Sequence, residues 1–347
     1  MIGNFFKYTA QFFRQFRLSI AVCLASALLF FTWKFPFSDL ADLVTTVVST
    51  ATQNSVYVQF ETLDVGLFPG PSVSGTGVQL EAANLAPIQA KYVKVAPSLL
   101  DLIANMGTAM SAARNNVEAQ QKLVSAIGVS VKAEDLLGAD VDLQVKPGGK
   151  NDQGAQKTKI YLDMESLNLS EVPRVMDLPI QMTGQADFTS SMVAYMNFEE
   201  QPEGDVELKA KSVKLPPSTV PTMMGPLNLP AIAMNDVVFK GRLVAGVLQI
   251  EEATLGSGKD AVKGRVKGRL GLRIDKSPRG GLIPNLGEYE LKVDLQVSPA
   301  GEKDFGLLLG LLSSYRSAAP GGGSRYLLQV KAARMGYPPE MTQISSF

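Results

Sequence analysis

The chain has 347 residues, 46% of them hydrophobic, with 33 basic and 33 acidic side chains and a formal net charge of zero. That balance gives no overall electrostatic reason to expect a nucleic-acid partner. There is no histidine and a single cysteine, Cys23, which excludes the commonest general base and metal ligand, any intrachain disulfide and any thiolate metal cluster.

The first feature along the chain is the run Leu18 to Trp33, LSIAVCLASALLFFTW, with no charge inside it. At about 1.5 Å per helical residue the run falls short of a hydrocarbon core about 30 Å thick. Phe35, Pro36 and Phe37 lengthen it, and Lys34 can snorkel to the headgroups. The pattern predicts a transmembrane anchor over 18–37, built on Leu18, Ile20, Val22, Leu24, Leu28, Leu29, Phe30 and Phe31, with Trp33 at the interface. Lys7, Arg14 and Arg17 precede the run with no acid among them, and Asp39 and Asp42 follow it. The positive-inside rule then puts residues 1–17 in the cytoplasm and 38–347 across the membrane. The exit sequence FFTWKFPF offers no small-residue cleavage site, so the anchor is expected to stay uncleaved.

Pro36 ends that helix and Ser38 can cap the next. Leu40, Leu43, Val44, Val47 and Val48 have the spacing of an amphipathic helix over 38–52. From Ser55 the period falls to two. Strands are expected near Val56–Phe60, Val73–Leu80 and Ile88–Val95. An Ala-, Asn- and Gln-rich stretch then runs to about Ile127 with the spacing of one or two helices. Strand character returns over Val129–Val145. The segment 147–156, PGGKNDQGAQ, is the best linker candidate and a possible subdivision of the domain. Further strands are expected at Lys159–Leu169, Gln181–Thr189, Val193–Phe198 and Val206–Val213. Five prolines between Leu215 and Pro230 predict an irregular connection. The meander Asp236–Val244, Val247–Leu255 and Ala261–Ile274 follows, then Glu288–Val297, which alternates without error. Phe305–Tyr315 reads as a short apolar helix, too short to span a bilayer. Tyr326–Ala333 is the last strand.

A search for chemistry finds no catalytic constellation. A G-x-S-x-G elbow is absent. Gly75-Thr76-Gly77 lacks the trailing residues of a phosphate loop and reads as a strand site of close packing. Glu199-Glu200 and Glu251-Glu252 are adjacent, so on a strand each pair points to opposite faces and forms no local dyad. A hydrolase using Asp and Glu alone would need carboxylates from distant strands to converge in a cleft. One segment stands out. In VKGRVKGRLGLRI, Lys263, Arg265, Lys267, Arg269 and Arg273 fall on one strand face, and Val262, Val266, Leu270, Leu272 and Ile274 on the other. Five cations on one face can engage anionic headgroups or an acidic partner. Equally, they can pair with acids on neighbouring strands such as Glu251, Asp294 or Glu290.

Three blocks carry a resemblance. One is Phe35-Pro36-Phe37 followed by a short helix, Val56-Tyr57-Val58 and Gly66-Leu67-Phe68-Pro69-Gly70-Pro71. The second is Leu167-Asn168-Leu169-Ser170-Glu171-Val172-Pro173 with Leu178 to Asp187, a strand, short helix and G-x-x-D strand unit. The third is the glycine-punctuated meander from Gly241 to Leu272. Together they resemble AsmA-like proteins and the GspN group, protein N of type II secretion systems. The long stretch near 107–121 and the final strand depart from that pattern.

The resemblance implies a mainly β fold: an N-terminal transmembrane helix followed by an elongated, curved antiparallel sheet with a few short helices. It implies a single-pass protein of a bacterial inner membrane with its bulk in the periplasm. It implies a non-enzymatic role with no cofactor: an accessory or structural component of type II protein secretion or, as the alternative, a lipid-binding or lipid-transfer protein. The expected partners are inner-membrane lipids, together with either type II secretion components or a phospholipid whose acyl chains lie in a sheet groove. The second role requires an apolar face that the protein's own side chains do not fill.

Overall fold

The structure is a computed structural model that describes residue 45 and residues 56–66, 72–82, 86–98, 128–150, 156–176, 180–195, 200–222, 225–258, 260–276, 282–320, 322–334 and 337–347. The expected anchor over 18–37, its flanking Lys7, Arg14 and Arg17, and the expected helices between Leu99 and Ile127 lie outside the described residues. Among the described residues no helix is long and apolar enough to cross a membrane.

The strands in chain order are β1 (Val56–Gln59), β2 (Thr62–Gly66), β3 (Ser72–Ala82), β4 (Ile88–Pro97), β5 (Val129–Leu136), β6 (Ala139–Lys150), β7 (Gln156–Asn168), β8 (Thr183–Tyr195), β9 (Glu203–Leu215), β10 (Ser218–Thr222), β11 (Gly225–Leu229), β12 (Ile232–Val244), β13 (Val247–Leu255), β14 (Val262–Lys276), β15 (Leu282–Val297), β16 (Arg316–Ala318), β17 (Ser324–Ala332) and β18 (Glu340–Gln343). Among the described residues, the short helices with full bounds are α1 (Glu171–Met176), α2 (Pro299–Asp304) and α3 (Gly306–Gly310). The protein is mainly β, as its alternation predicts.

Sixteen strands form one antiparallel sheet in the order β1-β3-β4-β5-β6-β7-β8-β9-β12-β13-β14-β15-β17-β16, with β2 also on β3 and β18 also on β17. From β3 to β15 the sheet is an antiparallel meander of consecutive strands apart from the excursion through β10 and β11, the pairing that favours one apolar and one wet face. Residues 98–128 connect β4 to β5, and the chain passes through α2, α3 and β16 between β15 and β17. At residues 147–156 the ladder continues on both sides, with Lys146 opposite Lys159 and Lys150 opposite Gln156.

Several features differ from the sequence reading: Phe305–Tyr315 is not one helix but α3 followed by a 3-10 turn, and β18 follows the strand expected to be the last. Gln181–Thr189 and Val193–Phe198 merge in one strand, β8. Val129–Val145 folds back on itself as the β5–β6 hairpin around Leu137 and Gly138, with φ of 57° and 76°. The proline-rich segment is not irregular: β10 and β11 pair with each other, Pro221 opposite Pro226. A two-stranded ribbon leaves one edge of each strand unpaired, so a proline there removes no ladder bond.

The register aligns apolar side chains into continuous rows. One runs Leu63, Gly75, Val93, Ala133, Val141, Met164, Phe188, Leu208, Phe239, Ala253, Val266, Val293 and Leu328, from β2 to β17. The two glycine gaps nearest large side chains are filled locally. Phe60 covers Gly75, and Phe239 with Leu248 covers Gly241.

Well-covered core exists in two places. Ala133, Ala139, Val141, Leu167, Leu169, Ala186, Ala210 and Val213 form the larger cluster, with Val172 of α1 packed against it. Val297, Tyr326 and Leu328 form the smaller, under Leu309, Leu312 and Tyr315. Ser298 caps α2 by accepting from the Gly301 N–H at 3.2 Å. At the first edge Thr45, which is helical, donates its hydroxyl to the Val58 carbonyl at 2.7 Å.

Candidate functional site

Because side chains alternate along each strand, the sheet presents two chemically distinct faces. On the apolar face Leu162, Met164 and Leu208 pack against the larger core cluster. In a second row Leu143 stands opposite Leu162, and the row continues through Ser190, Val206, Gly241, Ile250 and Gly268 to Leu291. The side chains of Leu143, Leu162, Val206, Ile250 and Leu291 are half-buried, as are those of Met164, Phe188, Leu208, Phe239, Val266 and Val293 in the first row. Val95, in the same second row on β4, is 37% exposed. Central strands of an ordinary sandwich would bury such residues against a second sheet. Here that middle stretch stays only partly covered.

The polar face has its own rows. Asp64, Ser74, Lys94, Lys132, Asp142, Asp163, Thr189, Glu207, Lys240 and Glu252 are successive neighbours from β2 to β13. A groove of about 570 Å³ lies on this face, with Asp142, Gln144, Tyr161, Ser191, Asp205 and Arg242 among its walls. Its charges largely meet one another. Glu207 lies 2.9 Å from Lys209 and 3.8 Å from Lys240, and Lys240 lies 3.5 Å from Glu252. Arg242 bridges Asp205 at 2.8 Å and Glu251 at 3.8 Å. The hydrogen bond from Lys209 holds the Glu207 carboxyl below its ordinary range. These pairs are exposed and screened by solvent, so each adds little to stability. They order a wet surface and supply no poised acid–base pair. Among the described residues no group of histidine, cysteine or carboxylate side chains is arranged to hold a metal ion.

The five cations of β14 lie on this polar face. Lys263, Arg265, Lys267, Arg269 and Arg273 stand opposite Gln296, Asp294, Lys292, Glu290 and Asn285 of β15. Arg265 donates to Asp294 at 2.6 Å and Arg269 to Glu290 at 2.9 Å. Arg325 of β17 also reaches Asp294, at 2.8 and 3.0 Å. The Asp294 side chain is fully buried. Burial alone pushes its carboxyl up, but the hydrogen bonds from Arg325 and Arg265 outweigh that and hold it below the usual range. The Phe347 ring covers Arg265 and Lys267 at 4.8 and 5.6 Å. Two of the five cations are therefore ion-paired, and Lys267 faces another lysine. Because these cations lie on the face opposite the apolar rows, they cannot clamp the headgroup of a chain lying along the middle of those rows.

Arg325 was not part of the sequence-derived set. It lies 60 residues from Arg265 in the chain, and only the order of β14, β15 and β17 brings both to one carboxylate. Asp187, in the G-x-x-D unit, accepts from the Ser166 N–H at 3.0 Å and so secures the bulge where Ser166 has φ of 61°. Its role is structural.

With this geometry in hand, comparison adds no relative: no family profile, no curated protein and no solved structure matches the chain.

Proposed function

We propose that this is a membrane-anchored, non-enzymatic protein whose sheet carries lipid acyl chains on its apolar face. The observation that carries the reading is the partly exposed apolar residues that run from the larger core cluster toward the smaller. Fully burying a leucine-sized side chain stabilises by about 1.5–3 kcal/mol. Leaving about ten such side chains with up to about a third of their area uncovered therefore forgoes on the order of 5 kcal/mol, a sizeable share of a domain's stability. A flexible apolar ligand recovers that energy without needing shape complementarity. The uncharged run over 18–33 supports a membrane location, and the resemblance to AsmA-like proteins supports both anchor and groove. The absence of histidine and the mutual pairing of polar-face carboxylates and cations support a non-enzymatic role. A secretion accessory role shares the same resemblance, but it gives no reason for an apolar face left uncovered. The lipid reading is therefore preferred.

Photo-crosslinking tests it. A photoreactive residue placed at Leu162, Phe239 or Leu291 in the full chain should capture phospholipid. The same group at Tyr161 or Lys240, on the opposite face, should not. Capture of the chain's own segments, or of a protein, at all three apolar positions would overturn the reading.

A further inference from the structure

The ribbon β10–β11 does not belong to the main sheet, yet it continues the β9–β12 ladder. Leu215 stands opposite Ile232, and Ser218 opposite Leu229 with the register unchanged. The ladder is interrupted only at Pro216 and Pro217 on one side and Pro230 on the other. The two strands thus extend as an arm past their neighbours β8 and β13, which pair with neither of them. A two-stranded ribbon is marginal in water unless it packs on something.

The composition of the arm selects the partner. No charged residue occurs from Leu215 to Asn235, the longest such stretch in the chain. A protein strand added to the arm's edge would need free backbone N–H donors. Pro221 and Pro226 supply none, and they stand opposite each other one pair from the turn end of the ribbon. Those two prolines also reduce the number of backbone donors left unsatisfied where water is scarce. An arm that blocks strand addition and carries no charge to desolvate suits the boundary between headgroups and acyl chains. We propose that β10–β11 is a membrane-contact arm, which dips into the surface of a lipid bilayer beside the apolar face of the sheet. The contact deepens the lipid-carrying reading, because it places a route for acyl chains at the rim of that face, and it rests on that reading only for its purpose.

The test uses the full chain with Cys23→Ser, in vesicles of phosphatidylethanolamine and phosphatidylglycerol. An environment-sensitive dye is attached at Asn228→Cys on the arm or at Ala245→Cys, at the opposite end of β12. Nitroxide-bearing lipid is supplied either in the host vesicles or in a second vesicle population. The arm dye should be quenched at least three-fold more than the Ala245 dye in one of the two arrangements. Thr219→Glu should abolish that difference without changing the fold. Equal quenching at both positions, or none at the arm in either arrangement, overturns the proposal. If lipid capture at Leu162 and Leu291 persists while the arm stays unquenched, the lipid reading stands and the arm proposal fails. A quenched arm with no lipid captured leaves the contact standing and removes the carrying function.

Discussion

Asp294 concentrates the strongest polar interaction described in the fold. Its buried carboxylate takes hydrogen bonds from Arg265 and Arg325 across three strands. Replacing it with alanine leaves two guanidinium groups facing each other; because both reach solvent, the expected loss is about 2–3 kcal/mol. Urea unfolding of Asp294→Ala against the parent measures it. The carboxyl is depressed in the folded chain, so its contribution is fully present above the unfolded value of about 3.9 and is lost as pH falls through the lower folded value. The stability gap between parent and Asp294→Asn should therefore hold from pH 7 to about 4 and narrow below that. Gly184 gives a second test at this scale. It has φ of 137°, and a Cβ there would meet the Lys211 carbonyl oxygen at 2.9 Å. Gly184→Ala should lower the unfolding free energy by about 1–3 kcal/mol. A change within 0.5 kcal/mol, on the order of an ordinary surface substitution, would show that the bulge relaxes at no cost.

At the scale of elements, the segment Phe305–Tyr315 is a cap rather than one helix. It breaks into α2's end, α3 and a following 3-10 turn (Ser313–Tyr315). Leu309 and Leu312 pack on the smaller core cluster, while Leu311 between them is 68% exposed. Leu312→Ala should therefore cost about 1.5 kcal/mol or more, and Leu311→Ala within about 0.5. Equal effects in thermal unfolding would mean that the cap does not seat as described. Alternation made most strands legible in the sequence; Glu288–Val297 is the clearest case, because every apolar residue from Tyr289 to Val297 shares a face. The ribbon β10–β11 was not legible. Its prolines argue against a strand wherever both edges must be paired, and nothing local says that these edges are free. The split of Val129–Val145 was hidden for a similar reason: Leu137 adopts positive φ at the turn, a conformation that leucine composition does not announce.

At the scale of the molecule, the candidate site was partly legible. The five cations of β14 could be placed on one face from their spacing. That Asp294 and Glu290 would meet two of them followed from neighbouring strands. Arg325, and the rows that cross more than ten strands, depend on a register fixed by every turn between them, which no local pattern carries. The sheet is a repeating ladder whose ends are blunted rather than open. Helical Thr45 bonds to the first edge, and the last edge consists of the short β16 and β18, three and four residues long. Short edge strands resist addition of further strands, so the exposed apolar area lies on the face and not at the ends. The face is what the functional reading depends on. The most direct measurement is native mass spectrometry of the full chain released from its membrane in mild detergent, followed by lipid analysis of the isolated protein ions. Phospholipid retained at defined stoichiometry, and lost when Leu162 and Leu291 are both replaced by aspartate in a chain that keeps its β circular dichroism, is the predicted result. Protein ions free of lipid under conditions that preserve the fold would contradict it.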